Sequence, residues 1–594
     1  MPTDLLRYPF EVAEILRRKK SLKRELLKRH ELIEKRIAIL GGSTTAEIRE
    51  ILELFLLDIG IKPAFYESGY NRFFEESVFE NKALADFKPD VFYIHTTNVN
   101  VTAFPAAHDS AEIVAAKLKA EVARFETIWD KLKATYGCTI IQNNFELPHA
   151  RSLGNLDCSD IHGKSRFIAE LNAEFARHSA NGRLLLINDI NYLSAWFGLH
   201  RWHDRTAWFS YKYALSYDAI PLLAHNVARI IGALYGRSRK CLILDLDDTL
   251  WGGVAGDVGI EGIQIGKESA VAEAYMEFQT YVKELKERGV ILAICSKNDH
   301  EVAMNALSHP SGVLRADDFA SIKATWDPKH LRIEEIAREL NLGRDSMVFV
   351  DDNPAEREIV RTHFPEVLIP ELGGDVTRFV EILDQERFFE PLAVSADDLK
   401  RTEYYRSNRE RQQFEAQAAD YGDYLDSLAM VAEIKPFDGA HTERITQLIN
   451  KTNQFNLTTK RCSLAEVAAM NGNPHLLTLY ARLADKFGDN GLVSVVVGTI
   501  GSEVLHIDLW LMSCRVMKRE LELAVFDEVV VHCVRRGVRS IMGYYYRTPK
   551  NSLVAGHYES LGFTKISSND AGDSQWEYAI PADYQVKNKH IKSA

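Results

Sequence analysis

The stretch CLILDLDDT occupies residues 241–249. Its first four residues are apolar and predict a short buried strand, and Asp245, Asp247 and Asp248 follow where that strand ends. Ligands of open α/β sheets bind at the carboxyl ends of the strands. Carboxylates about 5 Å apart repel each other by roughly 3 kcal/mol per pair, so we expect a cation among them. Mg²⁺ prefers oxygen ligands and keeps phosphate and water in its remaining positions, so it is the expected cofactor.

Three later segments carry polar residues at matching points of the predicted α/β pattern. Ser296 ends the strand GVILAICS, Lys329 follows in WDPK, and Asp351 and Asp352 end the strand SMVFV. Because the carboxyl ends of parallel strands meet at one edge of a sheet, these side chains are expected to surround a phosphate and its metal ion. An isolated DxD pair is more often a turn or a solvated face, but four elements in this order favour a phosphoryl site.

The order DxDxT, strand-terminal Ser, Lys, then Asp-Asp resembles that of the haloacid-dehalogenase superfamily. The resemblance implies that Asp245 is the nucleophile, that Asp247 is the general acid/base, and that Lys329 stabilises charge. It assigns Mg²⁺ to Asp245, the backbone carbonyl of Asp247, Asp351 and Asp352. The substrate-binding candidates are Thr249, Ser296, Asn298, Cys295, Cys514 and Arg515. Glu356 stands where the family often has a second acid.

The spacing of these segments leaves no room for a large cap domain. Between Asp245 and a helix near residue 269 there is only a flap, WGGVAGDVGIEGIQIG, and no domain-sized insertion separates Ser296 from Lys329. An uncapped site suits a bulky or protein-borne substrate.

The whole chain of 594 residues is predicted to be a multidomain α/β protein. A Rossmann-like haloacid-dehalogenase domain without a large cap follows one α/β domain and precedes an α+β domain. The predicted boundaries are 1–35 for an N-terminal amphipathic helix, 36–235 for the first α/β domain, 240–372 for the catalytic domain, 373–427 for a helical connector and 428–585 for the last domain.

A longer set of motifs resembles a narrower group, the FkbH family. It comprises DLDDTLWGGVAGDVGIEGI, ICSKND, WDPK, VFVDDNPAERE and NKTNQFNLTTKR, then residues 513–516 (SCRV), Tyr546, Thr548, Lys550, Asn551 and HYESLGF. The resemblance implies that 1,3-bisphosphoglycerate loses a phosphate and that a glyceryl or related acyl unit passes to the phosphopantetheine thiol of an acyl carrier protein for polyketide-type biosynthesis. The last domain is similar to GNAT acyltransferases and the first to SGNH hydrolases.

Two cysteines are candidates for a transient thioester. Cys295 adjoins Ser296, but alternation along a strand points the two side chains to opposite faces, which favours a structural thiol. Cys514 adjoins Arg515, which would lower the pKa of the thiol.

Both flanking domains depart from the families that they resemble. The GNAT pyrophosphate loop would fall at residues 515–520, which contain no glycine, so ordinary acetyl-CoA binding is not expected. Lys518 and Arg519 are alternatives for a pantetheine phosphate. In the first domain Ser43 occupies the SGNH nucleophile position, but Asp189 lacks a histidine three residues later and His203 lacks the spacing. We therefore favour a positioning role over hydrolysis.

Composition excludes several classes of partner. A net charge of −12 argues against nucleic acid and anionic membranes. Neither a signal peptide nor a run of about twenty apolar residues is found, and the seven dispersed cysteines suit a reducing cytoplasm. Two other functions remain open: a stand-alone phosphatase on a sugar or acyl phosphate in surface-polysaccharide assembly, and a non-catalytic scaffold for a carrier protein.

Overall fold

The computed structural model of the chain describes residues 5–28, 32–181, 184–394, 399, 404, 407–408, 411, 414–415, 420–548 and 550–594. By its internal contacts the chain divides into two compact units, residues 1–237 with 463–466 and residues 238–462 with 467–594. Within the described ranges, no helix has the length and apolar character needed to cross a membrane.

Strands and helices alternate through the first unit. The strands are β1 (Ile33–Gly41), β2 (Ile61–Glu67), β3 (Val91–His95), β4 (Thr139–Asn143) and β5 (Leu185–Asn188). The helices are α1 (Val12–Leu26), α2 (Ala46–Asp58), α3 (Phe73–Val78), α4 (Lys82–Phe87), α5 (Ala111–Tyr136), α6 (Lys164–Asn181), α7 (Ile190–Phe197), α8 (Leu199–Trp202), α9 (Arg205–Tyr211) and α10 (Ile220–Leu234). The strands form one parallel sheet in the order β2-β1-β3-β4-β5, with apolar cores on both faces.

The N-terminal helix is shorter than the prediction that it continues to residue 35. Helix α1 ends at Leu26, and Ile33 already pairs with Ile61 of β2. The sequence from Glu34 to Arg36 suits a helix locally, but pairing with β2 and β3 outweighs that preference, because helix propensities amount to only about 0.7 kcal/mol per residue for ordinary side chains.

The catalytic part contains a four-stranded parallel sheet. Its strands are β6 (Cys241–Leu244), β7 (Ile291–Ser296), β8 (Ser321–Ala324) and β9 (Met347–Val350), and their order in space is β8-β7-β6-β9. The helices are α11 (Ala255–Val258), α12 (Ala270–Glu287), α13 (His300–Ala306), α14 (Lys329–Glu339), α15 (Pro354–His363) and α16 (Phe379–Gln385). Strand β6 is buried along its whole length, as its apolar sequence predicts for a central parallel strand.

The segment after β6 is a short flap rather than a cap. Gly252 and Gln264 exchange backbone hydrogen bonds of 3.1 and 2.8 Å, which closes residues 252–264 into a loop that carries α11. The connection from β7 to β8 holds only α13 and a 3₁₀ turn. The predicted fold class, with an uncapped Rossmann-like domain, is confirmed.

The C-terminal part is built on a mixed sheet of eight strands. These are β10 (Met430–Lys435), β11 (Leu476–Asp485), β12 (Gly488–Ile500), β13 (Val504–Met512), β14 (Ser540–Tyr545), β15 (Thr564–Ser568), β16 (Ser574–Ala579) and β17 (Ile591–Ser593). The helices are α17 (Tyr421–Ser427), α18 (Thr442–Lys451), α19 (Leu464–Met470), α20 (Leu521–Arg535) and α21 (His557–Ser560). The order is β15-β16-β14-β13-β12-β11-β10-β17, with parallel pairs at β13–β14 and β10–β17. In the predicted helical connector at 373–427, α16 and α17 are helices, and residues 395–398, 400–403, 405–406, 409–410, 412–413 and 416–419 lie outside the described residues.

Candidate active site

Three carboxylates meet where the neighbouring strands β6 and β9 end. Each of Asp245, Asp351 and Asp352 offers an oxygen within 4.8 Å of the others, and Asp351 is fully buried. The backbone N–H of Asp245 donates to the carbonyl of Val350 at 2.9 Å, which holds the two strand ends together. Because negative charges this close repel strongly in a buried setting, the cluster requires a cation. Hard oxygen donors at a strand end suit Mg²⁺.

Lys329 supplies part of the positive charge. As the first residue of α14 it is only 3% exposed, and its Nζ lies 2.7 Å from Asp245 Oδ2 and 2.6 Å from Asp351 Oδ2. Burial lowers the pKa of Lys329, but the two carboxylates outweigh burial and raise the pKa above its ordinary value. Burial, and then repulsion from Asp245, raise the pKa of Asp351 to about 6, although Lys329 opposes them.

Asp247 is not a member of this cluster, and both of its carboxylate oxygens accept hydrogen bonds. Trp251 Nε1 and the N–H of Ala255 donate to Oδ1 at 2.9 and 3.0 Å, and Asn298 Nδ2 donates to Oδ2 at 3.0 Å. Burial raises the pKa of Asp247, helped by Asp245 and Asp248, while the donors from Ala255 and Trp251 oppose the rise. The backbone carbonyl of Asp247 as a metal ligand stays a prediction.

The predicted phosphate-binding hydroxyls lie at the same edge of the sheet. Thr249 is fully buried, and its hydroxyl lies 3.2 Å from the Oδ1 and the backbone N–H of Asp352. Ser296 ends β7, is 3% exposed, and accepts from the N–H of Thr325 through its backbone carbonyl at 3.1 Å. The structure therefore brings Asp245, Asp247, Thr249, Ser296, Asn298, Lys329, Asp351 and Asp352 to the carboxyl edge of one sheet.

Sequence reasoning missed three residues that organise this edge. Arg357 on α15 is buried and donates to the carbonyls of Asp351 and Asp352 at 2.9 and 2.7 Å, which holds the acidic turn in shape. Lys297 pairs with Glu356 at 2.6 Å, so Glu356 lies in an ion pair rather than in the acidic cluster. Trp251, the third, contacts Asp247 from the flap. Lys297 lies beside Ser296 in the motif ICSKND, a signal that could have indicated it, but nothing in the sequence indicated the contacts of Arg357 or Trp251.

Cys295 belongs to the apolar core of the sheet. Its side chain is fully buried among the residues that pack between the sheet and α14, and its Sγ lies 3.5 Å from the carbonyl of Lys329. Burial raises the pKa of the thiol well above its ordinary value. This geometry favours the structural role.

Cys514 and Arg515 are not brought to the acidic cluster. Asn341 donates to the carbonyl of Cys514 at 2.8 Å, and the charge of Lys240 acts on its thiol. Lys240 precedes β6 whereas Asp245 follows it, so the two ends of the strand are about 16 Å apart at roughly 3.3 Å per residue. Arg515 lowers the pKa of the Cys514 thiol, as predicted, and so does Lys240, but burial dominates and leaves this pKa above its ordinary value.

The other C-terminal motif residues lie, like Cys514, near the amino-terminal ends of the strands of the catalytic sheet, or they lie in turns. Lys550 pairs with Asp345, just before β9, at 2.8 Å. Asn551 is fully buried and donates to the carbonyls of Asn456 and Tyr546, both at 2.9 Å, while its Oδ1 accepts from the N–H of Thr548 at 2.8 Å. These contacts join the catalytic and C-terminal parts within the second unit and shape the turn after β14.

Strands β13 and β14 pair over only three residues and then separate. The chain's own residues 455–458 fill the gap, because the N–H of Leu457 donates to the carbonyl of Trp510 at 3.1 Å and its carbonyl accepts from the N–H of Tyr546 at 2.9 Å. The carbonyl of Trp510 and the N–H of Tyr546, which face this opening, thus have partners within the chain.

The two basic residues considered for a pantetheine phosphate lie in different settings. Arg519 is 5% exposed and its guanidinium lies 3.0 Å from Asp485 and 2.7 Å from Asn408 Oδ1, whereas Lys518 is exposed. Burial, with Arg411 nearby, lowers the pKa of Arg519 to about 10. Arg519 is therefore part of a buried ion-pair network rather than a surface anion site.

In the first unit, the residues considered for hydrolysis do not form a catalytic set. Ser43 is 2% exposed and its hydroxyl has no hydrogen-bond partner within the described ranges. His203 Nε2 lies 3.2 Å from the carbonyl of Leu147, and Asp189 caps α7 by accepting from the N–H of Tyr192. Since neither side chain contacts Ser43, neither of them is placed to act as its base.

A buried acid, Glu146, lies near the carboxyl edge of the first sheet. Its carboxylate accepts from the N–H of Asn98 at 3.3 Å and from the Asn98 side chain at 2.6 Å. Burial raises the pKa of Glu146 to about 7, although the Asn98 donors oppose the shift. The folded state therefore holds this proton to a higher pH than the unfolded chain, and stability should fall as the pH rises from about 4 to 7.

The variant Glu146→Gln removes this titration. Between pH 5 and pH 8, the free energy of unfolding of the original chain should fall by about 2 kcal/mol relative to that of the variant. The original chain must bury a charged carboxylate at pH 8, whereas the variant has none at this position. Denaturant unfolding at the two pH values measures the change. Glu75→Gln, at an exposed position of α3, should show no such difference. A Glu146→Gln effect of equal size at both pH values would contradict the assignment.

The fold and the acidic cluster define an uncapped haloacid-dehalogenase-type domain, and a solved structure supports this class. The N-terminal part of the protein BF1531 from Bacteroides fragilis, which contains a phosphatase domain and was crystallised in complex with Mg, is 30% identical to this chain. The match covers 63% of this chain and 99% of that one, with a TM-score of 0.59. The chain therefore belongs to the family of this phosphatase-domain protein.

Other comparisons are less informative. The ribosomal-protein-S18-alanine N-acetyltransferase from Escherichia coli is 13% identical over 27% of this chain and 99% of its own, with a TM-score of 0.20. The PaiA N-acetyltransferase from Thermoplasma acidophilum, in complex with coenzyme A, is 16% identical over 25% of this chain and 98% of its own, with a TM-score of 0.20. These values carry no inference about activity. No family model and no curated protein matches the chain.

Proposed function

We propose that the chain is an FkbH-like, Mg²⁺-dependent phosphatase and acyltransferase. It would dephosphorylate a phosphoglyceryl-type donor such as 1,3-bisphosphoglycerate and load a glyceryl or related acyl unit onto an acyl carrier protein. The observation that carries the phosphatase half is the buried cluster of Asp245, Asp351 and Asp352 with Lys329 at 2.7 and 2.6 Å. The acyl half rests on the motif resemblance and on the uncapped edge.

The residues at this edge suit in-line phosphoryl transfer. The Asp245 carboxylate attacks phosphorus, the bond from phosphorus to the leaving oxygen breaks, and Asp247 gives that oxygen its proton. Water, deprotonated by Asp247, then releases phosphate from the aspartyl group. Mg²⁺ held by the three carboxylates would offset the charge of the phosphate, and Lys329 adds to this.

The acyl step needs no oxidant or further cofactor. The carrier thiolate attacks the acyl carbon of the acyl phosphate, the bond to the phosphate oxygen breaks, and a thioester and inorganic phosphate result. Hydrolysis at Asp245 cleaves the remaining phosphate ester to a hydroxyl group and a second inorganic phosphate. In the first unit, the lack of contact between Ser43 and either Asp189 or His203 supports an SGNH-like domain that positions a partner rather than one that hydrolyses it.

Mass spectrometry separates the alternatives. The protein is incubated with 1,3-bisphosphoglycerate, Mg²⁺ and holo carrier protein, and the intact carrier is then weighed. Gain of one glyceryl unit supports the proposal. Free phosphate with an unchanged carrier would favour the stand-alone phosphatase instead. If neither free phosphate nor a heavier carrier is found, the non-catalytic scaffold is the remaining alternative. The same mixture with apo carrier, which lacks the thiol, is the control.

A further inference from the structure

The flap segment after β6 is tied to the catalytic edge through Trp251. The ring of this residue is 1% exposed, and its indole N–H donates to Asp247 Oδ1 at 2.9 Å. The same oxygen accepts from the N–H of Ala255, at the start of α11, at 3.0 Å. One carboxylate oxygen of Asp247 is therefore held entirely by the flap.

The second oxygen of Asp247 is held from a different element. Asn298 follows β7, is 4% exposed, and its Nδ2 donates to Asp247 Oδ2 at 3.0 Å. Its own Oδ1 accepts from the N–H of Asp299 at 2.9 Å, which orients the amide so that its NH₂ faces Asp247. Two side chains from separate loops thus determine the direction in which the carboxyl group points.

We propose that Trp251 is a positioning residue that aims the Asp247 carboxyl group at the leaving oxygen and couples its orientation to the conformation of the flap. The inference rests on the proposed phosphatase function. A carboxyl group free to rotate spends only part of its time within reach of the leaving oxygen, and proton transfer requires contact at hydrogen-bond distance. The indole contributes a donor on a rigid side chain that packing already holds in place.

The flap has two anchors besides the indole of Trp251. Gly253 donates to Asp248 Oδ1 at 2.7 Å, and Gly252 pairs with Gln264, so the flap is also anchored at two other points. Loss of the Trp251 contact alone should loosen the Asp247 end of the flap and leave the rest of the loop in place. The effect should therefore appear in proton transfer and not in metal binding.

The test is Trp251→Phe, which keeps a large ring and removes the donor. On an alkyl phosphate, whose alkoxide must be protonated as it leaves, kcat/KM should fall about tenfold. On p-nitrophenyl phosphate, whose nitrophenolate leaves without a proton, kcat/KM should change by less than about twofold, because kcat/KM reports only the steps up to the aspartyl-phosphate and the deprotonation of water by Asp247 comes later. The Mg²⁺ concentration for half-maximal activity should not move. Equal losses on the two substrates, or none, would overturn the proposal.

A second readout does not depend on turnover. Amide hydrogen exchange at residues 252–258 should speed up in Trp251→Phe and remain unchanged elsewhere in the catalytic part, and unchanged exchange there would also overturn the proposal. Trp202→Phe is the control, because Trp202 is 1% exposed and its indole N–H has no partner in the described part of the chain. If the original chain hydrolyses neither substrate, the proposed function fails, and the exchange comparison still decides the role of Trp251.

Discussion

Replacing Asp245 with Asn should reduce phosphate release at least about a thousandfold, because an amide oxygen cannot act as the attacking carboxylate. The side chain keeps its shape, so the fold should persist. Without Mg²⁺, the variant should unfold at the same or a higher temperature than the original, since one of three crowded negative charges is gone. Phosphate release under saturating Mg²⁺ and thermal unfolding with and without the metal measure the two effects.

The control for Asp245→Asn is a carboxylate of the same type outside the site. Asp130 is exposed on α5, and Asp130→Asn should change neither phosphate release nor the stabilisation by Mg²⁺. If the activity of Asp245→Asn stays within tenfold of that of the original chain, Asp245 is not the nucleophile. If Asp245→Asn keeps the full Mg²⁺-induced rise in unfolding temperature, Asp245 is not a metal ligand.

Replacing Lys329 with Met should have the largest effect on stability. The ammonium group is buried between Asp245 and Asp351, so its loss leaves two carboxylates facing each other away from water. Removing one partner of a buried ion pair typically destabilises by about 3–5 kcal/mol. Activity should fall at least about a hundredfold, because the same charge stabilises the transferred phosphoryl group.

Mg²⁺ distinguishes the electrostatic cause from a simple packing defect. Because the metal supplies positive charge at the same carboxylates, it should raise the unfolding temperature of Lys329→Met more than that of the original chain. Lys323→Met is the matched control: Lys323 pairs with Glu339 at 2.8 Å near the surface, and its loss should cost under about 1 kcal/mol without any Mg²⁺ dependence. A similar Mg²⁺ response in the two variants would exclude the electrostatic explanation.

Much of the fold follows from local pattern. The apolar runs of β6, β7 and β9, each followed by polar residues, predict buried parallel strands with their functional ends on one side. The absence of a long segment between Asp245 and α12 predicts the missing cap, and the structure has only a flap there. The exception is the end of α1, where residues with helical preference join β1 because sheet pairing stabilises them more.

The candidate site was less completely predictable. The members of the cluster at Asp245 and Asp351 could be named because each ends a strand, and strand direction is a local property. The three donors to Asp247 could not be assigned, because Trp251 and Asn298 meet it only through the paths of two loops. At Cys514, the neighbouring Arg515 suggested an activated thiol, but burial dominates and raises the pKa of the thiol.

The sequence by itself determined which residues end the parallel strands, and so which carboxylates gather at one edge of the sheet. Strand alternation and the order of segments suffice for that, since parallel strands bring all their carboxyl ends to one edge. Only the tertiary structure decided that the C-terminal motif at Cys514 lies at the opposite edge and that Glu146 is buried. Burial, and distances between segments remote in sequence, depend on how whole layers pack, and no local pattern encodes that packing.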